Sequence, residues 1–290
     1  MTRTFLSRAV AVTLLAALWT TAVTAQEEPA DFAWANSTEL SFVTAAGNAT
    51  SSTLGLKSTL EGTGPVNEFK FEIGGIRASS TVTDRSAIGA SSAPGDYVIT
   101  ETDREVKAAE NYFALGRYDR NIGSNYFLFG GAGWERNTFA GFNHRVSLVA
   151  GFGDAWVDND RTLFKTDIGG TYTIQKDVEP TPGRDEAFGG LRATVEFNRA
   201  LTENTDFESM LVADENLQNT EDLRLDGMAS IQVSMSRGLA LKASYRVLFD
   251  NDPALISVPL RSAGGAAIGD VTVLSGKADT FFTVSLVIKL

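Results

Sequence analysis

The chain has 290 residues, no cysteine and a formal net charge of -11. The absence of cysteine excludes disulfide bonds, zinc–thiolate sites and cysteine nucleophiles. The excess of negative charge argues against a nucleic-acid partner, because a phosphate backbone requires a basic surface. No linker or composition break divides the chain, so one folded domain is expected.

The N-terminal segment is typical of an export signal. Basic residues precede an apolar run over residues 9–19, and Val23-Thr24-Ala25 places small residues where a signal peptidase cleaves. The sequence therefore predicts a cleaved signal peptide over residues 1–25 and export to the outer membrane. A short periplasmic segment over residues 26–33 then leads into the folded domain.

From Trp34 onward the chain forms about twelve segments of alternating apolar and polar residues, each long enough for a tilted strand to cross a bilayer. Residues 34–290 are therefore predicted to be all-β, as a transmembrane antiparallel up-and-down β-barrel of about 12 strands. The fourth segment, residues 106–118, has mixed parity. The positions expected to face lipid are Leu40, Phe42, Leu54, Leu56, Leu60, Phe69, Phe71, Ile73, Tyr126, Leu128, Trp134, Val146, Leu148, Phe152, Phe164, Ile168, Tyr172, Leu191, Val195, Phe197, Phe207, Leu211, Ile231, Val233, Met235, Leu241, Tyr245 and Val247.

The connections between these segments alternate between short and long, as in outer-membrane barrels with short periplasmic turns and long external loops. Residues 79–103 and 251–276 are the longest predicted external loops, and Gly47-Asn48 is predicted to be a tight hairpin turn. This alternation predicts that both termini lie in the periplasm.

The last predicted strand runs from Phe282 to Leu290. Alternate residues beginning at Phe282 are expected to face hydrocarbon, whereas Thr283 and Ser285 are expected to face the interior. The expected partners are outer-membrane lipids and, through this strand, the barrel-assembly machinery.

Charged side chains occupy the positions opposite the apolar faces, so they are predicted to line the interior of the barrel. Such a set could fill the interior as ion pairs or line a narrow hydrated pore, because confined charges need partners or water. Both alternatives stay open at this point. The candidate interior residues are Glu135, Arg145, Lys165, Asp167, Arg192, Glu196, Lys242 and Arg246, together with Glu39, Lys57, Lys70, Glu72, Arg224 and Asp226.

No motif for catalysis or for a cofactor is found. His144 is the single histidine, and Ser147 lies three residues away on the same predicted strand, so the two side chains point to opposite faces. No Gly-x-Ser-x-Gly motif is present. The glycines of residues 130–133 and 151–153 lie within strands and are predicted to allow bending and close approach. We expect no enzymatic activity, no cofactor and no catalytic residue.

Acidic residues are concentrated in the predicted external loops. Most of these side chains are expected to be solvated surface carboxylates. An alternative is a weak site for divalent cations, which favour oxygen ligands and would bridge the protein to lipid phosphates. The candidates for such contacts are Asp214, Glu215, Glu221 and Asp222.

Several segments together resemble a known family. Arg117-Tyr-Asp-Arg120, Gly133-Trp-Glu-Arg136 and Gly151-Phe-Gly153, with Glu39-Leu-Ser-Phe42 and Gly47-Asn48, are similar to the bacterial salt-stress-induced outer-membrane proteins, a domain-of-unknown-function β-barrel family. The resemblance implies a barrel in the outer membrane and a response to salt stress, but no reaction. The expected function is a structural or envelope-stress-adaptive role. A narrow channel for ions or small solutes is the alternative, and a lipid-modifying enzyme is a third interpretation.

Overall fold

The computed structural model describes residues 32–45, 49–89, 97–138, 140–180, 182–261, 263, 267–274 and 276–290. In this part of the chain the regular elements are β-strands, and no helix is long and apolar enough to cross a membrane. The fourteen strands are β1 (Ala33–Ala45), β2 (Ala49–Thr63), β3 (Asn67–Gly89), β4 (Tyr97–Asn121), β5 (Tyr126–Asn137), β6 (Phe142–Asn159), β7 (Thr162–Asp177), β8 (Ala187–Ala200), β9 (Thr205–Asn216), β10 (Leu223–Ser236), β11 (Leu239–Asp250), β12 (Leu255–Arg261), β13 (Ala267–Leu274) and β14 (Ala278–Lys289).

Twelve of these strands form a closed barrel in the order β1-β14-β11-β10-β9-β8-β7-β6-β5-β4-β3-β2. Strands that follow one another in the wall pair antiparallel, so the predicted up-and-down barrel of about 12 strands is confirmed. The remaining two strands, β12 and β13, pair only with each other as a hairpin.

The barrel closes where the first and last strands meet. Ser37 pairs with Lys289, and Leu40 pairs with Leu286. Next to the Ser37–Lys289 pair, the amide of Leu290 donates a hydrogen bond to the carbonyl of Asn36 at 2.9 Å. Closure removes the free sheet edge, whose unpaired backbone groups would cost several kcal/mol each in hydrocarbon.

The outer face of the wall is apolar, as the alternation predicts. Leu54, Phe152 and Phe282 are 60%, 61% and 72% exposed, whereas only a few apolar side chains of the described residues are buried. Five of the predicted outer residues are only partly exposed, namely Phe164, Phe197, Phe207, Val247 and Ile288. An apolar surface of this extent requires a hydrocarbon environment and is typical of a transmembrane barrel.

The predicted loop over residues 79–103 is wrong in its bounds. β3 continues to Gly89 and β4 begins at Tyr97, with pairs from Ser79–Lys107 to Gly89–Tyr97. β-branched residues recur in both arms, which favours extension of the wall strands beyond the barrel. In the same way, residues 251–276 contain the hairpin β12–β13. The hairpin turn predicted at Gly47-Asn48 lies outside the described residues.

The two ends of the barrel differ. We name the turn end after its short connections, residues 64–66, 122–125, 160–161, 201–204 and 237–238; the start of β1 and the end of β14 lie here. The opposite end is the loop end, which carries residues 138–141, 178–186, 217–222 and 251–277 among the described connections. All connections of the turn end are therefore short, whereas the long connections lie at the loop end, where residues 138–141 are a short exception.

A pair of adjacent substitutions on β9 tests which face contacts lipid. Leu211 is 47% exposed on the outer face, whereas Met210 lies on the inner face opposite Glu196. We expect Leu211→Arg to cost roughly 2–4 kcal/mol of folding free energy in a bilayer. Met210→Arg places the same charge beside a carboxylate and should cost much less. Folding yield into liposomes measures the difference, and equal yields would contradict the assignment of the faces.

Candidate functional site in the barrel interior

The candidate site is the charged interior of the barrel. The structure places the predicted interior residues on the face opposite the exposed apolar side chains, where most of them form ion pairs. One of the closest contacts joins the neighbouring strands β2 and β3, where Lys57 Nζ lies 2.8 Å from Glu72 Oε1. Lys70 and Glu61, at 3.1 Å, are about half exposed near the turn end. Glu196 accepts a hydrogen bond from Asn198 at 2.8 Å.

Two ion pairs join strands that are separated by two or three other strands of the wall. Lys165 Nζ on β7 lies 3.1 Å from Glu68 Oε2 on β3, with β4, β5 and β6 between them. Arg117 Nη2 on β4 lies 2.9 Å from Asp167 Oδ2 on β7, with β5 and β6 between them. Such contacts can only pass through the interior of a closed barrel, so these side chains cross part of the lumen.

Two phenylalanines pack among these charges. Phe127 and Phe129 are 2% and 5% exposed, although they lie in the wall of a barrel whose other apolar side chains mostly face outward. The guanidinium carbon of Arg117 lies 4.2 Å from the centroid of the Phe129 ring, and Lys165 Nζ lies 5.6 Å from that of Phe127. These distances are within the range of cation–π contacts.

We call this group the aromatic–ion cluster; it consists of Glu68, Arg117, Asp119, Phe127, Phe129, Lys165 and Asp167. Asp119 completes it by accepting a hydrogen bond from Arg117 Nε at 2.7 Å. Sequence analysis identified Lys165 and Asp167 but missed the two phenylalanines. Their signal was the uninterrupted run Tyr126-Phe-Leu-Phe129, which breaks the polar alternation of β5.

Glycines of the facing strands make room for the two rings. A Cβ at Gly153 would overlap the Phe127 ring, and a Cβ at Gly169 would lie 3.0 Å from Phe129 Cζ and 2.7 Å from the carbonyl oxygen of Ala150. Real Cβ atoms do not approach this closely, so a side chain at either position would displace the rings or the backbone. The glycine at position 153 therefore has a packing role, in line with the close approach predicted for it.

A second cluster surrounds Lys242 on β11. Its Nζ lies 3.2 Å from Glu39 Oε1 on β1 and 2.9 Å from Glu208 Oε2 on β9, and one strand intervenes on either side. Ser230 also donates to Glu208 at 3.2 Å. The Lys242 side chain is only 8% exposed, so its charge depends on these two carboxylates for compensation.

Two arginines form bidentate pairs with aspartates. Arg192 donates to both oxygens of Asp214 at 2.8 and 2.9 Å, and Arg246 donates to both oxygens of Asp226 at 2.8 and 2.5 Å. Bidentate charge-assisted pairs are stronger and more directional than single hydrogen bonds. They fix these four side chains against the inner wall.

The cation candidates are not arranged as predicted. Asp214 and Glu215 lie in β9 and not in a loop, and Asp214 already forms an ion pair with Arg192. Asp222 is buried, accepts a hydrogen bond from Asn216 at 3.0 Å and lies 3.5 Å from Arg224. Glu221 alone lies exposed in the loop of residues 217–222. Among the described residues no group of three or more His, Cys, Asp or Glu side chains is arranged to hold a metal ion.

At the loop end, a segment that we call the strap, residues 251–255, crosses the mouth of the barrel. It follows β11, yet Ala254 packs against Gly141 in the connection between β5 and β6, on the opposite side of the barrel. Leu255 forms a β-bridge with Glu179. Ala254 is 2% exposed. Gly141 has a φ of +87°, and a Cβ there would collide with Ala254, so glycine is required at this contact.

Arg184 holds the strap to the connection between β7 and β8. Its guanidinium lies 2.7 Å from Asp252 Oδ2 in the strap and 3.4 Å from Asp177 Oδ2. Burial lowers the pKa of Arg184, but the two carboxylates outweigh burial and hold the pKa above its ordinary value. Asn219 adds a hydrogen bond to Asp252 at 3.0 Å. Three connections of the loop end are thus joined to one another.

His144 faces outward and takes no part in this interior. Its Nδ1 accepts a hydrogen bond from Trp134 Nε1 at 3.4 Å, and the two rings lie 6.1 Å apart. Ser147 is on the opposite face of β6, because the side chains alternate. The pair is therefore separated by the barrel wall, as the spacing predicts.

Removal of the Lys242 charge should destabilise the barrel. Lys242→Met leaves Glu39 and Glu208 without their cation. We expect the free energy of unfolding to fall by roughly 2–3 kcal/mol. This is less than for a fully buried ion pair, because Glu208 is partly exposed. Adding Glu39→Gln and Glu208→Gln should restore most of this stability. Denaturant unfolding in lipid vesicles measures it. Lys277→Met, at an exposed lysine, is the control and should change little. An equal effect of both lysine substitutions would contradict the role of the cluster.

Comparison with known proteins places the chain in a family. The model described as "Protein of unknown function, DUF481" matches residues 38–255. The uncharacterized protein YdiY of Escherichia coli (strain K12) is 24% identical over 178 residues, which cover 61% of this chain and 68% of that protein.

Among solved structures, the chain is similar to an anion-selective porin from Comamonas acidovorans, at 10% identity and a TM-score of 0.37, over 90% of this chain and 100% of the porin. It is also similar to the NanC porin, at 8% identity and a TM-score of 0.45, over 88% of this chain and 100% of that one. Since the family model matches more than half of the sequence, the chain belongs to the DUF481 family of proteins of unknown function.

Proposed function

We propose that this protein is an integral outer-membrane β-barrel with a structural or envelope-stress-adaptive role, and that its interior is closed to solutes. The observation that carries the proposal is the crossing of the lumen by side chains of non-neighbouring strands, Lys165 with Glu68 and Arg117 with Asp167. The buried rings of Phe127 and Phe129 fill space at the same place. A conducting pore would need this space for water.

The strap is a second barrier across the barrel and supports the same proposal. It bridges opposite sides of the mouth and is held by Arg184 and Asn219. The aromatic–ion cluster includes residues close to the turn end, such as Glu68 near the start of β3, whereas the strap lies at the loop end. A solute would therefore meet two obstacles in series.

The proposed location is the outer membrane, reached by a cleaved signal peptide over residues 1–25. The exposed apolar wall is suited to contact with outer-membrane lipids, and β14 is suited to recognition by the barrel-assembly machinery. A role in salt stress is proposed only from the sequence resemblance. We propose no catalytic role for His144, which lies on the outer face beside Trp134.

A narrow channel is the second candidate function. Several interior charges keep partial access to water: the side chains of Arg117, Arg192 and Arg246 are 31%, 27% and 33% exposed. Charged groups with residual hydration could line a path for small ions around the aromatic–ion cluster.

Planar-bilayer recordings distinguish the two candidates. We expect the wild type to be silent, because two barriers close one path in series. Phe127→Ala/Phe129→Ala and Arg184→Ala/Asn219→Ala should each remain nearly silent, whereas the combination of all four substitutions should give conductance steps. Phe69→Ala/Phe71→Ala, which alters the outer face of β3, is the control for loss of aromatic volume. Steady wild-type steps whose ion selectivity changes in Lys242→Glu or Arg246→Glu would instead establish the channel.

Cell fractionation tests the proposed location. The protein should be recovered with the outer membrane and should migrate faster in detergent gels before heating than after, because the closed barrel resists detergent. Recovery as a soluble periplasmic protein would contradict the proposal.

A further inference from the structure

An apolar groove of about 510 Å³ lies on the outer face of the barrel near the turn end. Its floor is formed by β4 and β5, where the outward residues Gly116, Gly130 and Ala132 are small. The rest of the lining is formed by Trp34, Leu60, Phe69, Phe71 and Tyr118, together with the inner-face positions Lys70, Arg117 and Gly131. The volume is in the range of a small-molecule site, although the groove opens to the hydrocarbon side of the wall.

The strand register shows that large side chains flank the floor on both sides. Phe71 pairs with Gly116, and Gly116 pairs with Ala132. Ala132 in turn pairs with Leu148, which is 52% exposed on the outer face. Residues paired across antiparallel strands share a face, so the small residues form the floor of a groove between Phe71 and Leu148.

The barrel does not need glycine at these floor positions. The nearest heavy atom to a Cβ added at Gly116 would be Phe71 Cδ2, at 3.8 Å. The nearest to a Cβ added at Gly130 would be the carbonyl oxygen of Val149, at 4.0 Å. Neither glycine has a positive φ. This contrasts with Gly153 and Gly169, where packing excludes any side chain. The open space above the floor is therefore not a consequence of how the strands pack.

A cation lies beyond the turn-end edge of the groove and is not part of its lining. Arg120 follows Gly116 and Tyr118 on the outward positions of β4, and successive outward residues are roughly 7 Å apart. Its side chain is exposed and makes no ion pair with any described residue. Its neighbours across the strands are Asn67 and Leu128, which are uncharged. An exposed arginine at this depth would meet the headgroup layer of a bilayer.

We infer that the groove binds one acyl chain of a phospholipid whose phosphate lies against Arg120. The inference rests on the proposed outer-membrane location, in which the turn end faces the periplasm and the groove lies in the inner leaflet. Hydrocarbon must fill an apolar groove in the wall, and the guanidinium supplies the charge complementarity for the phosphate at its end. Tyr118 and Phe69, with rings 4.8 Å apart, lie between the two parts.

A second copy of the chain fits the groove less well. A symmetric contact through this face would take Arg120 out of water beside Asn67 and Leu128, and neither offers a carboxylate. A buried cation without a partner is costly. The phospholipid provides the missing anion and the apolar chain in one molecule.

Native mass spectrometry of the purified protein with added phosphatidylglycerol tests the inference. Gly116→Leu, whose Cβ the groove accommodates, should occupy the groove and abolish the retained lipid. Arg120→Gln should weaken binding about tenfold, as for the loss of one charge-assisted contact. Two variants on the outer face of β8 serve as matched controls. Ala193→Leu enlarges a small outward residue, and Arg199→Gln removes an outward arginine near the turn end, and both should bind as the wild type does.

Several outcomes would overturn the inference. Equal lipid retention by Gly116→Leu and the wild type would show that the groove is not the site. Equal binding of phosphatidylglycerol and diacylglycerol would exclude a phosphate contact, and competition by glycerol phosphate alone would indicate an anion site without an acyl chain. A dimer that Gly116→Leu converts to a monomer would identify a second copy as the occupant. Outer-membrane fractionation of each variant separates these outcomes from a failure of the proposed location.

Discussion

Closure of the hydrogen-bonded wall is the constraint on which the rest of this structure depends. In hydrocarbon each backbone amide and carbonyl must find its partner within the protein, and a sheet achieves this only when its first and last strands pair. Here that pairing joins residues 37–40 to residues 286–289. Once the wall is closed, every second side chain of a strand points into the enclosed interior. The sequence must therefore place side chains at these positions that are stable in a confined space.

The interior satisfies this requirement mainly by pairing charges. Bidentate contacts such as Arg192–Asp214 neutralise charge between adjacent strands, while Lys242 is shared by carboxylates on two strands. Phe127 and Phe129 occupy the interior in a different way, because facing glycines give them room and cations cover their rings. Electrostatics and packing are thus combined within one cluster, and this is why its members come from several strands.

The sequence predicts the faces of the wall well and the contents of the lumen poorly. A period of two assigns Leu54 or Phe282 to the outside, because the side-chain alternation of a strand is a local property. It also predicts that Lys165 and Glu196 point inward. It does not predict that Lys165 meets Glu68, since that contact depends on the register of all strands between them. Phe127 was missed because an apolar residue at an inward position contradicts the expected pattern.

The loop end shows the same limit. Residues 79–103 contain charged, serine and glycine residues that resemble a loop, but pairing with a long partner strand outweighs this composition. The strap depends on Ala254 meeting Gly141, a contact between segments far apart in the sequence that no local pattern specifies.

The long arms of β3 and β4 have a mechanical consequence. β3 has 23 residues and so extends roughly 75 Å, about twice what a tilted strand needs to cross a bilayer. Among the described strands, residues 83–89 pair only with β4, so this ribbon has two free edges. Isolated two-stranded ribbons are marginally stable in water. The ribbon therefore takes its rigidity from the wall beneath it, and a force applied at its tip would act through a lever arm on the β3–β4 seam.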